Sequence, residues 1–227
     1  MNRTKIPWAT YTWNPIVGCS PASEGCANCY AEGISKRFHL PWGSAHFMPE
    51  RLDQPSHIRK PSRVFVCSMS DIFHPTVEPG MIVAILDEIR QCPQHTFIIL
   101  TKRPRRLTEP QLVLPGDRTV SLGSWFDEPN IWLGVTVENQ ARAEERIPLL
   151  LTVPAAVRFV SVEPMLEPVD LSKWLIPEGD VIDWVIAGPE TGRGKRHCEN
   201  KWIDDLAAQS PCFFDKRSSF KRREYPK

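Results

Sequence analysis

The sequence lacks any apolar run near the roughly 20 residues that a membrane span needs, so the chain is expected to stay out of the bilayer. Its first residues, MNRTKIPWATYTWNP, also lack the continuous apolar stretch of a signal peptide, which points to a cytoplasmic protein. Short repeats are missing, which excludes collagen-like and coiled-coil classes, and a hydrophobic share of 41% excludes a disordered chain. A large charge of one sign is missing too. With 28 Lys and Arg against 27 Asp and Glu the net charge is +1, so any contact with nucleic acid has to come from local patches. The 227 residues suffice for one domain with a substantial core, and no linker divides them. Proline, at 22 residues, is about twice its usual share, and there are eight tryptophans.

Seven cysteines is an odd number, and without a secretion signal a disulfide framework is not expected. Cys67, in the apolar run VFVCS, reads as a small buried hydrophobe, as do Cys92 and Cys212; Cys198 lies in the polar stretch RHCEN and is expected at the surface. Cys19, Cys26 and Cys29 differ. They form C-x6-C-x2-C in GCSPASEGCANCYAE, a loop of Ser, Pro and Gly with no core in which inert thiols could sit. Thiolates are soft donors suited to zinc, copper(I) or iron–sulfur clusters. Structural zinc ordinarily takes four ligands, and His39 or His46 could complete a Cys3His site. An iron–sulfur cube held by three cysteines instead leaves one iron open to a ligand.

Apolar runs bounded by turn residues recur at Trp8–Trp13, Val64–Ser68, Thr96–Leu100, Ile131–Val137, Val157–Val162 and Val181–Ala187, continuous as in strands buried on both faces. Helical patterns lie between them: Met81, Ile82, Ile85, Leu86 and Ile89 after Pro79; Asn139–Leu151, which Pro148 should interrupt or kink; and the shorter Tyr30–His39 and Trp202–Gln209. The later strand starts are spaced by 32, 35, 26 and 24 residues, close to the ~30 of a strand–helix unit. The expected class is α/β with parallel strands and six βα units, plus a weaker seventh strand at Cys212–Phe214. An incomplete barrel and an open doubly wound sheet both fit. Pro104–Pro129 breaks the pattern and reads as an insertion after strand three, placed to lid the sheet's edge.

Parallel α/β folds place their sites at the carboxyl ends of the strands. In order, these ends deliver Asn14 with the cysteine loop; Ser68, Ser70 and Asp71; Thr101, Lys102 and Arg103; Glu138 and Asn139; Ser161 and Glu163; and Gly188, Glu190 and Thr191. Carboxylates directly follow strands four, five and six. On one rim they would repel unless a cation or a cationic ligand joins them, so this rim is the expected active site.

Basic residues crowd two places, Lys102–Arg106 and the tail DKRSSFKRREYPK, about residues 215–227. Either is a solvated surface or a set of phosphate contacts, with Phe220 or Tyr225 available to stack on a base. His74 in SDIFHP is a possible proton donor or an incidental loop residue. Trp8, Trp13, Trp132 and Trp184 read as core or wall residues.

The blocks TWNPIVGCSPASEGCANCYAE, HTFIILTKRPRR, NIWLGVTVENQ, VRFVSVEPML and WVIAGPETG, running from about Tyr11 to Phe214, resemble a family of phage and prophage proteins that is similar to radical S-adenosylmethionine (SAM) enzymes. The resemblance implies an incomplete, TIM-like (βα)6 barrel with the cluster loop after strand one. It implies that Cys19, Cys26 and Cys29 hold a [4Fe–4S] cluster, whose open iron takes the amino and carboxylate groups of SAM. An electron donor would reduce the cluster, and cleavage of the sulfonium would give a 5′-deoxyadenosyl radical that abstracts hydrogen from a substrate, with a nucleotide or nucleic-acid base the natural choice in a phage. On that reading Ser68 and Asp71 accept from the methionine ammonium, and Glu138 binds ribose hydroxyls or the ammonium. Glu163 and Glu190 line the pocket, Gly188 lets the adenosine approach, and Lys102 and Arg103 meet an anionic carboxylate or phosphate. The loop departs from the common pattern, with six residues instead of three between its first two cysteines, and CSMSDIF replaces the glycine-rich motif after strand two. The alternative expectation is a zinc-stabilised, non-catalytic phage accessory protein that binds nucleic acid or a host factor.

Overall fold

Val-, Ile-, Phe- and Trp-rich segments make the sheet, as β-branched and aromatic side chains suit a pleated, buried surface. In the computed structural model, residues 1–108, 112–114, 118–120, 126–176, 181–192, 194–217 and 222–226 are described. The strands are β1 (Asn2–Arg3), β2 (Tyr11–Trp13), β3 (Ile16–Val17), β4 (His46–Phe47), β5 (Arg63–Val66), β6 (Thr96–Thr101), β7 (Leu112–Leu114), β8 (Arg118–Val120), β9 (Ile131–Thr136), β10 (Val157–Val162), β11 (Trp184–Ala187) and β12 (Phe213–Asp215). The helices are α1 (Tyr30–Phe38), α2 (Pro79–Gln91), α3 (Gln140–Leu151) and α4 (Asn200–Gln209).

Eight strands form one largely parallel sheet in the order β1-β2-β5-β6-β9-β10-β11-β12. Only β1 runs antiparallel, to β2; every later pair is parallel. The order follows the chain without reversal. A doubly wound sheet reverses at a switch point, so that alternative is set aside. The weak seventh parallel strand is present as β12. Pro148 does not end α3, whose Ile147 and Leu150 are wholly buried; burial on both sides of the proline holds the turn despite the lost N–H. In the insertion, β7 and β8 pair as an antiparallel ladder, and the backbone of β7 lies beside α2; residues 109–111, 115–117 and 121–125, on which the expected lid also falls, lie outside the described residues.

The two faces of the sheet differ. On one, Val64, Phe97, Ile99, Leu133, Val160 and Val185 meet the apolar stripes of α2, α3 and α4, including Ile82, Ile85, Ile147 and Leu206. The other carries Phe65, Ile98, Phe159, Trp184, Ile186 and Phe214, closed over by Trp8. Trp184 sits at its centre, with Trp8, Trp132, Phe159, Phe214 and Tyr225 within 6.5 Å between ring centroids. Trp8, Trp13 and Trp184 are buried, as expected of wall residues. Cys67 and Cys92 are buried too; Cys212, expected to match them, is only partly covered, at the margin of the aromatic face. Among the described residues no helix is long and apolar enough to cross a membrane.

Candidate functional site

The three-cysteine loop leaves β3, whose antiparallel pairing with β4 sets its direction, and ends at α1, with Cys29 in the cap position. The strand ends stake it down almost residue by residue. Ser70 Oγ donates to the Gly18 carbonyl at 2.5 Å. Arg103 donates to the Ser20 carbonyl at 2.8 Å and to Ser20 Oγ at 3.2 Å, and Ser20 Oγ shares a 2.7 Å hydrogen bond with His74 Nε2. Ser23 Oγ donates to Glu138 Oε1 at 2.5 Å, Asn28 Nδ2 to Glu190 Oε2 at 3.0 Å, and the Tyr30 hydroxyl to the Ser68 carbonyl at 2.6 Å. Gly25 packs directly on Glu138, leaving no room for a β-carbon.

Each strand-end carboxylate has a cation from the chain itself. Glu138 is fully buried between Arg146, at 2.9 Å, and Lys102, at 3.2 Å. Glu163 pairs with Lys216, which follows β12 and reaches over β11 where Gly188 presents no side chain; a β-carbon there would lie 2.9 Å from Lys216 Cβ. Glu190 accepts from the Arg196 backbone N–H at 2.8 Å and from its guanidinium at 2.5 and 3.0 Å, which holds its carboxyl down to about 2. The repulsion expected on a shared rim is thus relieved internally.

Beside the loop lies a cavity of about 990 Å³, with Cys26, Asn28 and Cys29 on one wall and Trp8, Phe65 and Leu100 among its apolar lining. Thr136, Ser161, Glu163, Glu190, Lys102 and Lys216 add polar groups. Such a volume stands at the upper end for small-molecule pockets. Thr136 and Ser161 are register partners on β9 and β10, pointing to the same face as Phe159 and Trp184 nearer the strand starts. The face therefore grades from an aromatic plug to a polar cavity.

Of the residues singled out in the sequence, Cys26, Cys29, Ser68, Lys102, Glu163 and Glu190 line this cavity. Cys19 lies at the far end of the loop, its thiol pushed up to about 11, first by burial and then by Asp71, with Arg103 and Cys26 also near enough to act on it. Glu138, expected to hold a ligand, is a buried anchor beneath the loop. Asp71 is likewise occupied, accepting from the Thr101 hydroxyl at 2.9 and 2.8 Å, the Lys102 N–H at 3.0 Å and the Phe73 N–H at 2.9 Å, so it ties strand ends together. Arg103 faces Ser20 and Gly188 faces Lys216. His74 is buried between Ser20 and Thr76, its pKa lowered by burial and then by Arg103. Arg146 and Arg196 went unread in the sequence, and Lys216 was read only as part of the basic tail. Lys216 alone carried a signal, as the basic residue directly after the last strand.

The basic segments are largely committed to the fold. Arg106 donates to the carbonyls of His74 and Val77, and Arg217 is buried against Asp215 and Asp204. Arg222 Nη2 donates to the Ser210 carbonyl at 2.7 Å. Tyr225 stacks in the aromatic face with the Arg63 guanidinium 4.0 Å from its ring, so it is not free for a base. Phe220 lies outside the described residues. Arg105 remains exposed.

For metal binding, the three thiols are the soft donors at the site. Among the described residues, no three His, Cys, Asp or Glu side chains converge where a single ion would sit. His46 is exposed and engaged with Ser44 at 2.8 Å, and His39 ends α1 in the left-handed conformation.

No curated protein and no solved structure shows a significant match to the chain. A family model does match, over residues 3–222 and so nearly the whole length. The chain belongs to that family, described as protein of unknown function (DUF5131).

Proposed function

We propose that this protein is an iron–sulfur enzyme of radical SAM type, with Cys19, Cys26 and Cys29 holding a [4Fe–4S] cluster and the adjoining cavity taking SAM and a substrate. One observation carries the reading: a soft-donor loop is fixed by side chains from four strand ends, those of β5, β6, β9 and β11, at the carboxyl edge of a parallel sheet, against a cavity large enough for two small ligands. The unreversed strand order and the single helix-covered face support describing the sheet as an incomplete, TIM-like barrel. When bound, the cluster and SAM supply one-electron reductive cleavage and hydrogen-atom abstraction.

The residues of the chain bind, orient and exclude water. Ser20, Ser23 and Asn28, clamped by Arg103, Glu138 and Glu190, keep the loop from folding into the cavity. Asn14 accepts from Ser68 Oγ at 3.1 Å and from the Met69 N–H at 3.0 Å, fixing the cavity wall that Ser68 and Cys29 share. The plug of Trp8, Phe65 and Trp184 closes the opposite end to bulk water, which a radical reaction requires. The test is anaerobic reduction of the iron-loaded protein with SAM. Release of 5′-deoxyadenosine, lost in Cys26→Ala, is expected; iron-replete protein that leaves SAM intact contradicts the proposal.

A further inference from the structure

We infer that the substrate is a small molecule carrying a phosphate or carboxylate, anchored by Lys216 with Lys102 beside it. The inference rests on the reading of the cavity as the active site. Its first support is the charge of the cavity wall. Lys5, Arg51, Lys102 and Lys216 line it with Glu163 and Glu190; Glu190 is already neutralised by Arg196 and Arg51 is paired with Glu50, so Lys5, Lys102 and Lys216 stand against Glu163. A chain with a net charge of only +1 therefore concentrates positive charge in one concave place, where weak solvation strengthens attraction for an anion.

The second support is geometric. Thr136 and Ser161 are paired on neighbouring strands, and Glu138 and Glu163 each lie two residues beyond them. Lys102 reaches Glu138 from the β6 side and Lys216 reaches Glu163 from the β12 side. Two ammonium groups thus converge on adjacent strand ends. Glu138 is shared with Arg146, so the Lys102–Glu138–Arg146 group keeps one positive charge in excess. Lys216 and Glu163 are each about one-fifth exposed, within reach of a ligand in the cavity. Gly188 serves this arrangement, since any side chain there would block the lysine's path. Arg103, a further cation of the rim, is turned to Ser20 and takes no part. A third observation points to a ligand: Trp8, also lining the cavity, has an indole N–H buried without a partner among the described residues. An acceptor on a bound molecule would satisfy it.

Glu163 competes with the incoming anion for Lys216, which gives the proposal a signature of opposite sign. Calorimetry on the anaerobically purified protein, with inorganic phosphate, adenosine monophosphate, acetate and a single-stranded 20-mer as probes, reads it. Phosphate or acetate should bind, and Lys216→Met should weaken that binding tenfold or more, while Glu163→Gln should strengthen it severalfold. Thermal melts identify any variant that fails to fold, and Lys216→Arg, which keeps the charge, should retain binding. Equal loss in Lys216→Met and Glu163→Gln would make the pair a structural strut and overturn the inference. So would absence of binding by the small anions, or tighter binding of the 20-mer than of adenosine monophosphate. Iron content measured on the same samples judges the cluster separately: iron-replete protein that ignores small anions defeats only this inference, and iron-free protein that binds them defeats only the cluster.

Discussion

Gly25, one residue before the second cysteine of the loop, lies against Glu138 so closely that a β-carbon would stand 2.3 Å from Glu138 Cγ. The neighbouring Ser23 hydroxyl bonds the same carboxylate. The loop and the fourth parallel strand therefore meet with no spare volume, and the position of Cys26 depends on a residue 112 places further along the chain.

Gly25→Ala should accordingly push the loop off Glu138. The expected cost is about 1–3 kcal/mol, typical of overpacking a filled site. Thermal unfolding measures it, and iron retention should drop in parallel.

Removing the carboxylate acts more severely. Glu138→Ala leaves Arg146, 2% exposed, without its charged partner. Stranding a buried charge costs about 3–5 kcal/mol, so urea denaturation should show a loss of that order. The double variant Glu138→Ala/Arg146→Met should recover part of it.

Acid should loosen the far side of the loop. The Glu190 carboxyl titrates near 2 in the folded chain against an ordinary value of 4.5, because of its hydrogen bonds to Arg196. Its contribution is complete above about pH 4.5 and is lost as pH falls toward 2. Stability measured across that window should fall less steeply in Glu190→Gln than in the wild type.

The aromatic face should behave as a core of its own. Trp184→Ala removes the ring at its centre and should cost about 3–5 kcal/mol, read by denaturant unfolding.

How far these features were legible in the sequence depends on their range. Strands such as Val157–Val162 show in composition, since burial on both faces demands unbroken apolar runs. The order of polar residues at their ends follows directly, and so Lys102, Glu163 and Glu190 are found at the cavity. What a carboxylate does there is another matter. Glu138 and Glu163 each follow a parallel strand in similar surroundings, yet one is an anchor buried under Gly25 and the other faces the cavity. The difference comes from Arg146, on the next helix, and Lys216, beyond the last strand, and pairings at such separations leave no periodic trace. The tail misleads for the same reason: its Arg217 and Arg222 read as a charged surface until Asp204 and the carbonyls at the end of α4 are seen beside them.

The central claim is that the loop holds an iron–sulfur cluster through three thiols. Iron and acid-labile sulfide, quantified in protein purified without oxygen, test it most directly. The account predicts about four of each per chain, most of it lost in Cys19→Ala, Cys26→Ala or Cys29→Ala and retained in Cys67→Ala. One zinc and no sulfide per chain, or iron that survives all three replacements, would contradict it.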